Sequence, residues 1–382
     1  MIYLDAAATA PVRQDVLTAM WPLLSSDFGN PSSHHGMGET AARALSAARQ
    51  GAATVLGCRP SELTFTSGGT EANNLALKGI ALATPRDRHL VTSAIEHPAV
   101  LETLDYLRRF HGFRITVVPV SPTGLVNPDD LAEALTPGTA LCSIMYANNE
   151  VGTVQPVRAL ADRCAAVSVP FHTDAVQAGG WLPLTVAELG VDALTLSGHK
   201  LGAPKGSGLL YVRGRTPVEP LIHGGGQERG RRSGTENVAG AVGLATALAL
   251  AQGERGTAVP AATAQRDFLI RHVLDTVPGA VITGDSGQRL PNLASFCFPG
   301  TSGESVLLEL ERRGVVCSSG SACAAGSDEP SAVLLALGID RETAQTAVRF
   351  SWTAATTERD IALAARSVTA AVVSVRGLGR TA

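Results

Sequence analysis

Short runs of aliphatic and β-branched residues alternate, over the first half of the chain, with longer segments whose apolar positions recur every three to four residues. The runs at 63–66, 89–93, 114–119, 140–146, 169–173, 193–197 and 208–212 have the length and composition of strands. Between the first two, Leu75, Ala76, Gly79, Ile80 and Ala83 recur at helical spacing. Repeated strand–helix alternation predicts an α/β fold with a mostly parallel seven-stranded sheet covered on both faces. Ligands on such sheets bind at the carboxyl ends of strands, so candidate chemistry is sought there.

The alternation stops near residue 215. A loop over 223–237 leads into a long Ala-rich helix, whose apolar run, 238–251, is short for a membrane span and reads as a buried helix. Strand-like runs at 293–298, 315–317 and 348–351 then suggest a smaller α+β lobe that the extreme N-terminus joins. The expected division is a large domain over 16–256 and a small one formed by 1–15 and 257–382. A last helix over 358–375 places Ile361, Ala364, Ala365, Val368, Val372 and Val373 at helical spacing, predicting a buried apolar face.

Composition narrows the function classes. With 382 residues, 45% of them hydrophobic, the chain has ample material for a large core. A formal charge of −3 gives no global attraction to nucleic acid or acidic membranes. Six cysteines lie scattered, at 58, 142, 164, 297, 317 and 323, without zinc spacing, so no metal site is expected. Free thiols without a signal peptide point to a reducing, cytoplasmic location.

The strand ends carry the chemistry. Ser197-Gly198-His199-Lys200 follows one strand-like run, and His172-Thr173-Asp174-Ala175-Val176-Gln177 closes the one before it. A lysine at a strand end can carry an aldehyde cofactor as a Schiff base. A carboxylate nearby can hold a pyridinium nitrogen protonated, which is the pairing that pyridoxal phosphate (PLP) requires. Asp174 alone would equally suit a helix cap, and the two roles are compatible; Gln177 is placed to reach the ring oxygen. Ser67-Gly68-Gly69-Thr70-Glu71 links a strand to a helix, a junction that is either an ordinary helix start or a phosphate cradle. Lys200 downstream favours the cradle.

His97 follows another strand, where an imidazole can stack on a ring and move protons or simply cap a helix. Asn148-Asn149-Glu150-Val151-Gly152 is turn chemistry that can also present an amide to a substrate. The loop His223–Thr235 holds three arginines, weak support for nucleic acid and better suited to binding a small anion through Gly, Ser and Thr. Cys323 lies in residues 318–327, drawn only from Ser, Gly, Ala and the one Cys, as an accessible reactive thiol requires. Cys317 follows Gly314-Val315-Val316, looks like a strand residue and reads as core.

Together these residues resemble the cysteine desulfurases of the NifS/IscS type, in the class V aminotransferase group of fold-type I PLP enzymes. The resemblance runs in order through Leu4-Asp5-Ala6-Ala7-Ala8-Thr9, Gly29-Asn30-Pro31-Ser32-Ser33, Thr66 to Asn74, Glu96-His97, Asn148 to Gly152, Asp174 to Gln177, Ser197 to Gly206, Arg232 to Thr235, Ser318 to Cys323 and Arg349-Phe350-Ser351. It implies Lys200 as the Schiff-base lysine, Cys323 as the persulfide carrier and His97 stacked on the ring. It further implies Asp174 and Gln177 on the ring nitrogen and oxygen, and Gly69, Thr70, Ser197 and His199 on the phosphate. Thr235 would reach the phosphate of the partner in a homodimer. Asn149 would line the substrate side, and Arg349 would pair the carboxylate of L-cysteine.

The implied reaction converts L-cysteine to L-alanine and passes sulfur through a persulfide to an acceptor protein; neither a membrane nor a nucleic-acid partner is expected. Selenocysteine lyase and a class V aminotransferase without sulfur transfer are the rival activities, and a non-catalytic sulfur-relay subunit is a third reading. Two departures stand out. Trp352-Thr353-Ala354 replaces the family's usual Leu-Gly-Arg, and only residues 376–382 follow the last helix. The short tail leads us to expect weak docking to an iron–sulfur scaffold.

Overall fold

The computed structural model describes residues 1–83, 86–319 and 329–378. In chain order its strands are β1 (Ile2–Tyr3), β2 (Leu63–Thr66), β3 (His89–Ser93), β4 (Arg114–Val118), β5 (Thr139–Ser143), β6 (Phe171–Asp174), β7 (Ala193–Ser197), β8 (Gly208–Val212), β9 (Val281–Ile282), β10 (Leu293–Cys297), β11 (Val315–Val316) and β12 (Ala347–Ser351). Seven of them form one sheet in the order β2-β8-β7-β6-β5-β3-β4. Only β8 runs against its neighbours, pairing antiparallel with β2 and β7. The expected mostly parallel, seven-stranded sheet is therefore present, with every predicted run in it.

Both faces of the sheet are covered, which explains why β3, β5, β6, β7 and β8 are buried at every position. One face packs on the helix Gly69–Ala83 through Leu75, Leu77 and Ile80, with Leu104 and Leu107 from the helix Pro98–His111. The other packs Cys142, Phe171 and Leu194 against Leu244 and Leu248. His172 stays inside β6 because both ring nitrogens have partners, Ser143 Oγ at 2.8 Å and Thr195 Oγ1 at 3.0 Å. Burial pushes its pKa down to about 3, so the ring is neutral.

The apolar run beginning at Val238 opens a helix that continues to Thr276, 39 residues or about 58 Å. Its polar middle gives no periodic signal. The helix persists because its far end re-enters an apolar environment: Leu269 and Val273 pack with Leu4, Phe296, Phe298, Phe350 and Trp352 in a second core. The boundary expected at 256/257 thus falls inside a continuous helix. The last helix, Glu358–Leu378, buries Ile361, Ala364, Ala365, Val368 and Val372 as expected, but Val373 is 62% exposed. One residue on from Val372 turns the side chain about 100° away, and Ala371 occupies the inward position instead. The two-residue strands β1 and β9 are too short to leave a pattern; β1 pairs with β11, bringing the N-terminus onto the second core.

Candidate active site

Strand ends and the turns after them bring the candidate residues together. Asp174 ends β6 and is 5% exposed; its Oδ2 accepts from Asn73 Nδ2 at 2.6 Å and its Oδ1 from the Val176 amide at 3.0 Å. A buried carboxylate so held stays aimed. Lys200 closes the short turn Gly198–Lys200 after β7, and its Nζ donates to the carbonyls of Ala7 and Ala8. His97 caps the helix Pro98–His111: its Nδ1 accepts from the Ala99 amide at 3.0 Å, which places the ring proton on Nε2. The capping reading of His97 is met, and the cap leaves Nε2 free of that bond. Desolvation pulls its pKa below the ordinary imidazole value, Asp174 opposes the shift and Lys200 adds to it. Asp174 and Lys200 therefore both lie within electrostatic reach of the His97 ring.

The helix Gly69–Ala83 begins where β2 ends. A Cβ on Gly69 would stand 3.0 Å from Val176 Cγ2 and 3.3 Å from Ser197 Cβ, so glycine opens the cradle between β2, β6 and β7. Ser197 lines it and Thr70 is exposed at its rim. His199 pairs Nδ1 with Thr9 Oγ1 at 3.2 Å, and burial, with Lys200 and Lys205, pushes its pKa down to about 4. Gln177 Nε2 donates to the Ala7 carbonyl at 3.0 Å. Carboxylate, lysine, neutral imidazole and a glycine-opened helix start form a donor set that fits a phosphorylated pyridine aldehyde. A cavity of about 630 Å³ borders Lys200 and Gln177, with Trp352 also on its wall.

Arg349, in β12, comes to the site from the second core. It is 1% exposed, donating Nη1 to the Asn149 carbonyl at 2.8 Å and Nη2 to Asp5 Oδ1 at 2.7 Å. Its backbone pairs with Ser318 in both directions, and Ser331 Oγ donates to Glu150 Oε2 at 2.5 Å. The described flanks of the 318–331 segment are thus both anchored, one on Arg349 and the other on Glu150. Cys323 itself lies outside the described residues. Thr235 is exposed and borders a separate cleft of about 240 Å³ with Ser67, Ser207 and Arg232, so it stands apart from the Lys200 cavity. The loop's arginines are engaged internally: Arg229 with the Leu63 carbonyl, Arg231 with the Ser61 carbonyl at 3.3 Å and Arg232 with Glu71 at 2.9 Å.

Sequence reading gave no separate role to Asn73, Asp5 or Glu96. Asn73 lies one turn into the helix after the glycine pair, a spacing that would have pointed it toward the sheet. Asp5 and Glu96 act through approaches that only the tertiary fold creates.

Fold and cluster together define a class V aminotransferase, whose family model matches residues 2–363. The chain is 46% identical to the cysteine desulfurase IscS of Dictyoglomus turgidum over 361 residues, 94% of this chain and 91% of that one. A solved NifS-like protein superposes with a TM-score of 0.91 at 38% identity, covering 98% of this chain and 99% of the other. A structure described as SspA in complex with cysteine does so at 0.80 and 37% identity, covering 92% and 98%. The chain belongs to the cysteine desulfurase family of class V aminotransferases.

Proposed function

We propose that this protein is a PLP-dependent cysteine desulfurase, which takes L-cysteine to L-alanine and leaves the sulfur as a persulfide on Cys323. The observation that carries the reading is the placement of Asp174, held by Asn73 at the end of β6, with Lys200 after β7 and His97 after β3, the first and second both within electrostatic reach of the imidazole. When bound, PLP supplies an electron sink that weakens bonds at the substrate Cα and Cβ. Asp174, fixed by Asn73, would hold the proton of the ring nitrogen. Gly69, Thr70, Ser197 and His199 would receive the phosphate, Gln177 would meet the ring oxygen, and the His97 imidazole would lie against the ring. Lys200 would hold the cofactor through its Nζ, and the same Nζ would move the substrate Cα proton.

Arg349 binds the substrate carboxylate beside Asn149, with Asp5 steadying the guanidinium plane from behind. Cys323 forms the new S–S bond as the substrate C–S bond breaks, so L-cysteine and one thiol become L-alanine and one persulfide. The anchored flanks at Ser318 and Ser331 support delivery of that thiol to this side. Burial raises the Cys317 thiol far above the ordinary range, which suits a packed residue and not an attacking thiolate.

The same reading makes the protein a cytoplasmic homodimer with Thr235 crossing to the partner's phosphate. It has a large lobe over 16–256, a small lobe over 1–15 and 257–382, and an acceptor protein for the sulfur. Among the described residues no helix is long and apolar enough to cross a membrane.

Lys200→Ala tests the proposal. Holoenzyme is expected to trap cofactor on Lys200 with borohydride, as mapped by mass spectrometry, and the variant to release no alanine. Turnover of cysteine by the variant would refute the mechanism.

A further inference from the structure

Residues 222–232 run over the surface, all exposed or half-exposed except Glu228, which is 5% exposed. Its carboxylate is gripped by both arms of Arg49, Nη2 to Oε1 at 2.6 Å and Nη1 to Oε2 at 2.8 Å. Oε2 also accepts from the Phe65 amide of the edge strand β2 at 3.0 Å. Arg49, from the helix Gly36–Leu56, further donates to the Leu63 carbonyl at 2.9 Å and lies 4.8 Å over the Phe65 ring. One carboxylate thereby joins a helix, a strand edge and a surface loop. Such a bidentate, desolvated pair fixes direction as well as distance.

The backbone shows that the grip is under tension. Glu228 and Arg229 have φ of +47° and +58°, successive non-glycine residues in the left-handed region, which persist only where surrounding contacts hold them. From this point the loop is tied rung by rung to Thr235. Gly234 donates its amide to Gln227 Oε1 at 2.9 Å, Ser233 its amide to the Ile222 carbonyl at 3.1 Å, and Gly226 its amide to Ser233 Oγ at 3.3 Å. Arg232 adds a pair with Glu71, at the start of the helix that forms the subunit's own cradle.

We propose that Glu228, clamped by Arg49, is a positioning residue that presents Thr235 to the phosphate site of a second copy of this chain. The inference rests on the reading of Thr235 given above. It adds that the geometry of one subunit's cofactor site is set by a buried ion pair inside the other. A residue that merely stabilised its own subunit would act on its own cradle, through β2 and Glu71. A positioning residue acts across the interface.

Hybrid dimers separate the two. One subunit keeps Lys200; the other carries Lys200→Ala, so the visible absorbance of cofactor joined to lysine reports a single site. With Glu228→Gln on the Lys200→Ala subunit, cofactor release into an excess of apoprotein is expected to quicken about tenfold, the effect of losing one hydrogen bond to a charged group. With Glu228→Gln on the Lys200 subunit, release is expected to stay near wild type. Thr235→Val in trans should match the first hybrid, and combining it with Glu228→Gln should add nothing further. Should Glu228→Gln fail to fold, Arg49→Met with Glu228→Met removes the clamp without leaving a lone buried charge and is expected to give the same trans effect. Faster release only in cis, or no trans effect of the folded clamp variants while Thr235→Val has one, overturns the proposal and leaves the Thr235 reading standing. No trans effect of Thr235→Val overturns both.

Discussion

Glu96 shows how much a single residue's surroundings decide. It is 3% exposed, and Oε1 accepts from Ser93 Oγ at 2.6 Å and from the Met145 amide at 2.9 Å, while Oε2 has no partner among the described residues. Burial raises its pKa from 4.5 to about 8 despite those hydrogen bonds, with Asp174 adding to the rise. In that window the folded protein binds a proton that the unfolded chain has lost. The group's contribution to stability is therefore complete below about 4.5 and falls away as pH rises toward about 8. Glu96→Gln is expected to flatten this dependence, so that its thermal midpoint, measured against wild type across the same window, gains most at the alkaline end. The cysteines give a second expectation: Cys323→Ala keeps the yellow cofactor but forms no alkylatable persulfide, whereas Cys317→Ala stays active after losing ~1 kcal/mol of packing. Persulfide in the first variant and none in the second would exchange the assignments. Lys200, Asp174 and His97 were legible in the sequence because each sits at the end of a recognisable strand. Glu96, Asp5 and Asn73 were not singled out, since their partners lie on other elements and local pattern carries no trace of them.

Among elements, the strands were read closely because both-face burial writes continuous apolar runs. Their ends were blurred where the chain leaves the sheet without losing its apolar character: the run at 140–146 forms β5 only to Ser143, and its last residues turn toward Glu96 and Asp174. The edge between β2 and β8 makes a sharper demand. A Cβ on Gly208 would lie 2.5 Å from the Gly68 carbonyl carbon and 2.6 Å from its Cα, backbone that has nowhere to go without moving the cradle. Gly208→Ala is expected to cost about 1–3 kcal/mol in thermal or denaturant unfolding, as overpacking does, and to weaken cofactor retention disproportionately. Unchanged cofactor affinity in equilibrium titration of the apoprotein would show that the cradle does not depend on this approach. The helix Val238–Thr276 escaped full reading for the opposite reason. Its middle is polar and packs little, so only its two ends, each in a different core, reveal its length.

At the scale of the molecule, the first residues act as a strap between the two cores. Tyr3 pairs with Val316, Asp5 with Arg349, the Ala7 amide donates to Ser351 Oγ at 2.8 Å, and the Ala7 and Ala8 carbonyls receive Lys200. The later strands left apolar runs that the sequence shows; the strap's contact with Lys200 left none, because it joins segments almost 200 residues apart. Those separations have a consequence in time. Asp5 leaves the ribosome 344 residues ahead of Arg349, tens of seconds at the usual ~5–20 residues per second. For that interval Lys200 is made and its strand can pair, while the strap bearing the carbonyls it will bond still lacks its ties to Arg349 and Ser351. Ribosome-stalled chains ending before residue 347 are therefore expected to stay colourless when given cofactor, while chains released at full length turn yellow. Synthesis order would then act as a safeguard, keeping an aldehyde-reactive amine out of service until the last strand of the small lobe has been made.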